Sequence, residues 1–347
     1  MIKIVIAAGG TGGHVFPAKC VSEQLVNAGY EVEFIVDQRG KQYIGDNVTF
    51  EVTEQEINSK SKVLLILSVL KNVVTSIYKF IKNRPACVIG FGGYPSFAPV
   101  ASAQILGIRT IIHEQNAVMG RANAILMSKA KGIFTAFENV LGSLRNSSRL
   151  SKRIRCVGNP TRFDHLYKNS KRPNNSVFTI LVFGGSQGSK IFADIVAPAI
   201  CKLKNVKVFQ QARQNDIDKL KKLYTESGIE AIVSDFFNDI AELYQQSDLV
   251  ISRSGASTVF EIMGFRIPSI LIPYSRSVNG DQDANAKALG NGTVVLNEQT
   301  LTVNDIFNTL ERFIKNPTLL KNLSEKLPRC RANNYEFLNG VEYVLTH

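Results

Sequence analysis

The sequence predicts an α/β protein made of two doubly wound parallel-sheet domains in tandem. A strand, a glycine-rich loop and a helix open the chain, and the same order returns about half a chain later. The strand-like runs are short and continuously apolar, the pattern of parallel strands buried on both faces. A length of 347 residues agrees, because it exceeds what one ordinary core organises.

In the first half, Ile2, Ile4, Val5 and Ile6 read as a strand, followed by Gly9-Gly10-Thr11-Gly12-Gly13-His14. A helical pattern runs from Pro17 to about Ala28, and Val32 to Val36 forms the next strand, which completes a βαβ unit. The second half repeats this with Thr179 to Phe183, the loop Gly184-Gly185-Ser186-Gln187-Gly188, and a strand at Val206 to Phe209. Further strand-like runs fall at Ala231–Val233, Leu249–Ile251 and Ser269–Ile272. Between the halves, Arg145 to Arg172 holds nine basic residues and one acidic residue, and reads as an interdomain connection. The expected division is residues 1–158, residues 159–332, and a C-terminal helix at 333–347 that can pack back on the first domain.

A formal net charge of +12 points to anionic partners: nucleic acid, a phosphate-bearing substrate or an acidic membrane surface. No nucleic-acid motif accompanies the charge, so nucleic acid is not expected as a partner. Five cysteines without a CxxC pair, and four scattered histidines, argue against a disulfide framework and a metal site, and fit a reducing cytoplasm. The opening apolar run is too short for a signal peptide, and Val63–Leu70, broken by Ser68 and followed by Lys71, is too short to span a bilayer.

Several motifs can carry chemistry. The Gly9–Gly13 loop precedes a helix, where glycine lets the backbone approach a ligand and the helix N-terminus favours an anion; a tight packing turn is the alternative. It has neither the Lys of a phosphate-binding P-loop nor the third glycine of a dinucleotide loop. The Gly184–Gly188 loop has the same logic, with the Ser186 hydroxyl added. Gly90-Phe91-Gly92-Gly93-Tyr94-Pro95 and His113-Glu114-Gln115-Asn116 follow strands, where doubly wound sheets bind ligands; a turn and a satisfied polar cluster are the alternatives. In Arg253-Ser254-Gly255-Ala256-Ser257-Thr258-Val259-Phe260-Glu261, Ser257 or Thr258 is placed to cap a helix, and the Glu261 carboxylate suits a vicinal diol such as ribose. Asp281 and Asp283 share a spacing used by metal-dependent sugar transferases, but Asp216 and Asp218 share it too.

The ordered set GGTGGHVFPA, GFGGYPS, HEQN, GNPTR, FGGSQGS and RSGASTVFE, with a DQxxNA-like segment after it, resembles the MurG family of glycosyltransferases. The motifs cover both halves of the chain and occur in the family's order. The resemblance implies the GT-B architecture, two Rossmann-like domains facing a cleft. It implies an inverting, metal-independent transfer of N-acetylglucosamine from UDP-GlcNAc to lipid I, through a β-1,4 linkage that gives lipid II. It places the donor on Thr11, Gly12, Gly13, Asn116, Arg162, Ser186, Phe237, Ala256, Ser257, Thr258, Val259, Phe260, Glu261, Gln282 and Asn285. Among these, Phe237 meets the uracil through its backbone, Ser186 a phosphate and Glu261 the ribose, while Gln282 and Asn285 read the sugar hydroxyls. Gly92, Gly93, Tyr94, His113 and Glu114 fall on the acceptor side. The partners implied are UDP-GlcNAc, lipid I and an anionic membrane, with a peripheral location on the cytoplasmic face of the bacterial inner membrane and no cofactor or metal. Another UDP-sugar enzyme of the same fold, such as a 2-epimerase or a transferase to a soluble acceptor, is the competing reading.

Two further expectations follow. Inverting transfer needs a base for the acceptor hydroxyl, and His14 at the end of the first loop is the candidate, with His113 its rival. A helix over Val63–Lys82 gathers Ser68, Lys71, Thr75, Lys79 and Lys82 within an arc of roughly 80°, a basic stripe suited either to solvent or to anionic lipid.

Overall fold

In the computed structural model, which describes residues 1–46, 48–57, 61–138, 140, 148–167, 177–184, 188–330 and 334–347, the chain divides into two units. Unit 1 is Met1–Asp164 with Arg331–His347, and unit 2 is His165–Cys330.

Among the described residues, unit 1 holds seven strands: β1 (Lys3–Ala7), β2 (Glu31–Asp37), β3 (Glu51–Gln55), β4 (Cys87–Gly90), β5 (Arg109–Glu114), β6 (Gly132–Thr135) and β7 (Ile154–Cys156). They lie in the order β3-β2-β1-β4-β5-β6-β7, each pair parallel. Alternate residues enter opposite cores: Ile4 and Ile6 pack with Phe34 on one face, Val5 and Ala7 with Val88 and Ile112 on the other. Burial on both faces is why these strands read as unbroken apolar runs, and each fully buried aliphatic side chain stabilises the fold by roughly 1.5–3 kcal/mol. Unit 2 repeats the plan with β8 (Phe178–Phe183), β9 (Val206–Gln211), β10 (Glu230–Ser234), β11 (Leu249–Ser252), β12 (Ser269–Leu271) and β13 (Val294–Val295), in the parallel order β10-β9-β8-β11-β12-β13. The sequence prediction of two doubly wound α/β sheets therefore agrees with the structure.

Three local expectations are corrected. The first helix, α1, spans Gly12–Asn27, starting five residues before Pro17, which lies inside it. Thr11 takes the extended N-cap geometry, so Gly12, Gly13 and His14 form the first helical turn rather than a loop. The basic stretch after Arg145 is not wholly a linker, because Ile154–Cys156 pairs with β6 as the edge of the unit 1 sheet. After a short helix α2 (Gln38–Lys41), the Val63–Leu70 run belongs to a longer one, α3 (Lys62–Lys82), which is long and apolar enough to cross a membrane by length and composition. The helix expected over Val63–Lys82 is thus the one observed, and only the spanning judgement, which weighed Val63–Leu70 alone, changes.

The C-terminal helix Asn334–Thr346 packs in unit 1. Its Phe337 is fully buried, stacked on Phe91 at 5.6 Å and edge-on to Phe134 at 5.2 Å. Asn334 adds a two-way tie, accepting from the Thr161 N–H at 3.1 Å and donating to the Thr161 carbonyl at 2.9 Å. All five cysteines are free thiols.

Candidate active site

In a parallel sheet every strand delivers its following loop to the same edge, and ligands gather where the strand order reverses. In unit 1 that point lies between β1 and β4, and the loops after these strands are Ala8–Thr11 and Phe91–Gly92. In unit 2 it lies between β8 and β11, which are followed by Gly184 and by Arg253–Gly255 respectively. The sequence motifs thus stand at the two positions where this architecture binds ligands.

The unit 1 site is built by close approach. A Cβ on Gly9 would fall 2.4 Å from Asp37 Oδ1 and 2.7 Å from Pro95, so this glycine is demanded by packing. Gly92 sits at φ +83° as the N-cap of α4 (Gly93–Ile105), and the His14 ring lies against it, 3.4 Å from where a Cβ would stand. The first and third glycine loops therefore meet, with His14 at their junction. Thr11 makes no side-chain cap to α1, so the Gly12 and Gly13 amides lack a side-chain acceptor, while the His14 N–H donates to the Thr11 carbonyl at 3.1 Å. Gly13 is open around its Cβ position, with only Thr11 Oγ1 at 3.7 Å. Tyr94 is exposed, and Arg162 is exposed with its guanidinium 4.6 Å from the Phe163 ring and 5.7 Å from that of Phe16.

Sequence reasoning missed Asp37, the organiser of the first loop. Its buried carboxylate accepts from the Gly10 N–H at 2.7 Å, the Gly40 N–H at 3.1 Å and Arg39 Nε at 3.1 Å. The position was legible, since a carboxylate ending the second strand of a βαβ unit stands beside the glycine loop.

The HEQN segment divides by burial. His113 is fully buried; its Nε2 lies 2.9 Å from the Gly158 carbonyl and its Nδ1 3.1 Å from Gln115 Nε2. The neutral ring donates to Gly158 and accepts from the Gln115 amide. Burial pushes its pKa down to about 4, partly opposed by the Gly158 hydrogen bond and reinforced by the charge of His14. Edge-on packing against Phe91 and Phe337 completes the cage. His113 thus holds a place in the core of unit 1, whereas His14 lies at the junction of the two glycine loops. Glu114, also buried, accepts from the N–H groups of Asn116 at 3.0 Å and Gly120 at 2.8 Å and from Asn123 Nδ2 at 2.9 Å, and so shapes the loop. Asn116 is half-buried, its side chain within 3.3 Å of the same carboxylate.

In unit 2, the helix Ala256–Phe265 begins directly after Gly255, with no side-chain cap. Ser257 and Thr258, expected as caps, lie inside its first turn instead, which leaves the N-terminal amides of Ala256 and its neighbours available to an anion. Val259 and Phe260 face the core, and Glu261 is half-buried one turn further on. The Tyr244 hydroxyl donates to Glu261 Oε2 at 2.9 Å. Phe237 lies in the loop after β10, whose turn is held by Ser234 Oγ donating to the Phe236 carbonyl at 2.7 Å. Ser186 lies outside the described residues.

Gln282 opens the helix Asp281–Ala288, its Oε1 accepting the Tyr274 N–H at 2.9 Å. Asn285 is fully buried and donates through Nδ2 to the Ser254 carbonyl at 3.0 Å, which ties it to the loop after β11. Arg253 is also buried and pairs with Glu298. Burial alone raises the Glu298 carboxyl pKa, but hydrogen bonds from Arg253 and Ser275 and the Arg253 charge outweigh it and hold the group below the usual carboxylate range. Among the described residues, no group of three or more His, Cys, Asp or Glu side chains is arranged to hold a metal ion.

On the flank of unit 1, α3 packs one face, with Asn72, Ser76 and Phe80 buried, against the unit; Ser102 Oγ of α4 donates to the Val73 carbonyl at 3.0 Å. The other side is apolar and open: Val63, Ile66, Leu67, Leu70, Val74, Tyr78 and Ile81 are each more than half exposed. At about 100° per residue they cover an arc of roughly 120°. The basic stripe lies beside this arc. Lys71 faces Glu56 at 3.4 Å and Lys82 covers the Tyr78 ring at 5.3 Å, while Lys79 turns toward the buried Glu33 at 3.6 Å.

The pattern of the glycosyltransferase family 28 N-terminal domain matches residues 4–135, and that of the family 28 C-terminal domain matches residues 179–335. The chain is 38% identical, over 91% of its length and 87% of the relative's, to a protein of Agrobacterium fabrum named UDP-N-acetylglucosamine–N-acetylmuramyl-(pentapeptide) pyrophosphoryl-undecaprenol N-acetylglucosamine transferase. A Rickettsia felis protein of the same name is 33% identical over 98% of this chain and 99% of its own. Among solved structures, Acinetobacter baumannii MurG superposes with a TM-score of 0.81 at 26% identity, covering 100% of both chains.

Proposed function

The chain belongs to glycosyltransferase family 28, among the N-acetylglucosamine transferases whose name its relatives carry, and on that premise we propose that it moves N-acetylglucosamine from UDP-GlcNAc to the C4 hydroxyl of N-acetylmuramic acid in lipid I, giving lipid II for peptidoglycan and so serving cell shape and division.

The observation that carries this reading is the Ala256–Phe265 helix. Its uncapped N-terminus offers backbone N–H groups to a diphosphate, and Glu261, five residues on and about 7.5 Å along the axis, offers a fixed carboxylate to a ribose diol. A nucleoside diphosphate presents these two chemistries at comparable separation. Phe237 and Ser186 complete the UDP site, and Gln282 reads the hexosamine.

The acceptor lies on unit 1, with Gly92, Gly93 and Tyr94 beside His14. His14 takes the proton of the acceptor's C4 hydroxyl as the hydroxyl oxygen attacks the anomeric carbon. The bond from this carbon to the UDP oxygen breaks, the anomeric configuration inverts, and the charge arriving on UDP is met by helix-terminal amides. Imidazole suits the role because its ordinary titration lies near neutral pH. Incubating the full chain with radiolabelled UDP-GlcNAc and a short-chain lipid I analogue tests the assignment: label must move into the lipid-extractable fraction.

A specific observation favours a membrane-bound life. The open apolar arc of α3, flanked by Lys71 and Lys82, has the composition of an interfacial helix. Because its other face is packed against unit 1, α3 lies on an anionic bilayer rather than crossing it, on the cytoplasmic face of the inner membrane, where a lipid-linked acceptor is held.

A further inference from the structure

Arg253 ends up at the meeting point of three loops of the unit 2 site. Its Nη1 donates to the carbonyls of Ile272 at 2.9 Å and Pro273 at 3.2 Å. Its Nη2 donates to Ser189 Oγ at 2.8 Å and to the Glu298 carboxylate. The second Glu298 oxygen accepts the Ser275 N–H at 2.7 Å. The guanidinium also lies 5.2 Å from the ring of Tyr274, which is exposed at the site edge.

These bonds have a direction. Ser189 follows the second glycine loop, Arg253 itself leads into the uncapped helix, and Ile272–Ser275 leads to Gln282. The last two segments are tied again by Ser254 Oγ donating to the Gln282 carbonyl at 2.8 Å. The uridine end is supported separately, by Tyr244 behind Glu261 and by the turn at Ser234 beside Phe237.

We propose that Arg253 and Glu298 are positioning residues that set the hexosamine-reading segment, Tyr274 to Gln282, at its working distance from the diphosphate site, so that they govern recognition of the sugar and not of the uridine. The proposal rests on the UDP-GlcNAc transferase reading. A planar fork serving four acceptors in fixed directions is a task lysine cannot perform, since its ammonium is a compact point charge on a flexible stem. A misplacement of about 1 Å at such a site costs on the order of 100-fold in activity.

The test compares the affinities of UDP and UDP-GlcNAc by calorimetry, with kcat and KM for transfer, in the wild type, Arg253→Lys, Glu298→Gln and the milder Ser189→Ala. The proposal expects UDP affinity to hold within about threefold while UDP-GlcNAc weakens roughly tenfold or more, KM rising more than kcat falls, and preference over UDP-glucose relaxing. Should Arg253→Lys fail to fold, Glu298→Gln and Ser189→Ala carry the same comparison. Folded variants that lose UDP and UDP-GlcNAc affinity by one factor, or lose neither, overturn the proposal. A wild-type chain that binds UDP and not UDP-GlcNAc overturns the underlying functional reading, and the positioning role with it.

Discussion

The hydroxyl of Tyr244 donates to Oε2 of Glu261 at 2.9 Å, and Tyr244 is almost wholly buried. A carboxylate on a helix one turn from its N-terminus is thereby held from behind by a group that cannot reach the ligand. Hydrogen bonds to charged groups are worth about 1.5–3 kcal/mol. Glu261→Ala is therefore expected to weaken UDP and UDP-GlcNAc binding alike, by about one to two orders of magnitude. Tyr244→Phe keeps the carboxylate and loses its orientation, so a smaller loss, of roughly three- to tenfold, is expected for both ligands. Calorimetry with UDP alone decides; unchanged affinity in a folded Glu261→Ala chain removes this residue from the site.

Catalysis is expected to depend on His14. His14→Ala should lower kcat by about 10²–10⁴ with little change in UDP affinity, and the acidic limb of kcat/KM against pH should disappear. His113→Ala should lower folding stability and leave that limb in place, because His113 is enclosed by Phe91, Phe337, Gly158 and Gln115. A His14→Ala enzyme with wild-type kcat would move the base elsewhere.

The burial of His113 also predicts a pH dependence of stability. In the unfolded chain its imidazole takes up a proton near its ordinary 6.5, and in the folded chain only near 4. Between these values the unfolded state binds more protons, so this contribution is present above 6.5 and is lost as pH falls toward 4. Its size is about 2 kcal/mol between about pH 7 and pH 5. Urea unfolding at the two pH values measures it, and His113→Gln should lose that difference whatever its own baseline stability. Equal slopes in both chains would contradict a neutral, buried His113.

Membrane attachment is expected to run through α3. Replacing Leu67, Leu70 and Val74 with Gln should release the chain from phosphatidylglycerol vesicles, since roughly 25 cal/mol per Å² of apolar contact is lost. Lys71→Ser with Lys82→Ser should weaken binding by about 1 kcal/mol per lysine and flatten its salt dependence. Lys79 is left intact, because its nearest carboxylate is the buried Glu33 and its removal would disturb the fold. Vesicle sedimentation that does not change in the Gln variant would assign the membrane contact to another surface.

The sheets were legible because burial on both faces leaves an unbroken apolar signature, from Ile4–Ile6 in one unit to Leu249–Ile251 in the other. The loops were legible because glycine clusters mark where backbone comes close. Burial of polar groups was not. His113 and Asn285 are polar residues at strand or helix ends, and their sequence neighbours do not reveal that each is sealed in by partners 45 and 31 residues away. Asp37 was missed for the same reason, its chief partner Gly10 lying 27 residues back. The start of α1 was misread because Pro17 looks like a first-turn proline, whereas the helix accepts it one turn further in.

Transfer to a lipid-linked acceptor is decided by the fate of UDP-GlcNAc with and without that acceptor. With a lipid I analogue, UDP should be released in step with appearance of a β-1,4-linked disaccharide on the lipid, identified by the anomeric proton coupling of the product. Without it, the donor should remain intact. Release of UDP, or conversion of the sugar to its 2-epimer, at the same rate whether or not the lipid acceptor is present would rule out a transferase acting on lipid I.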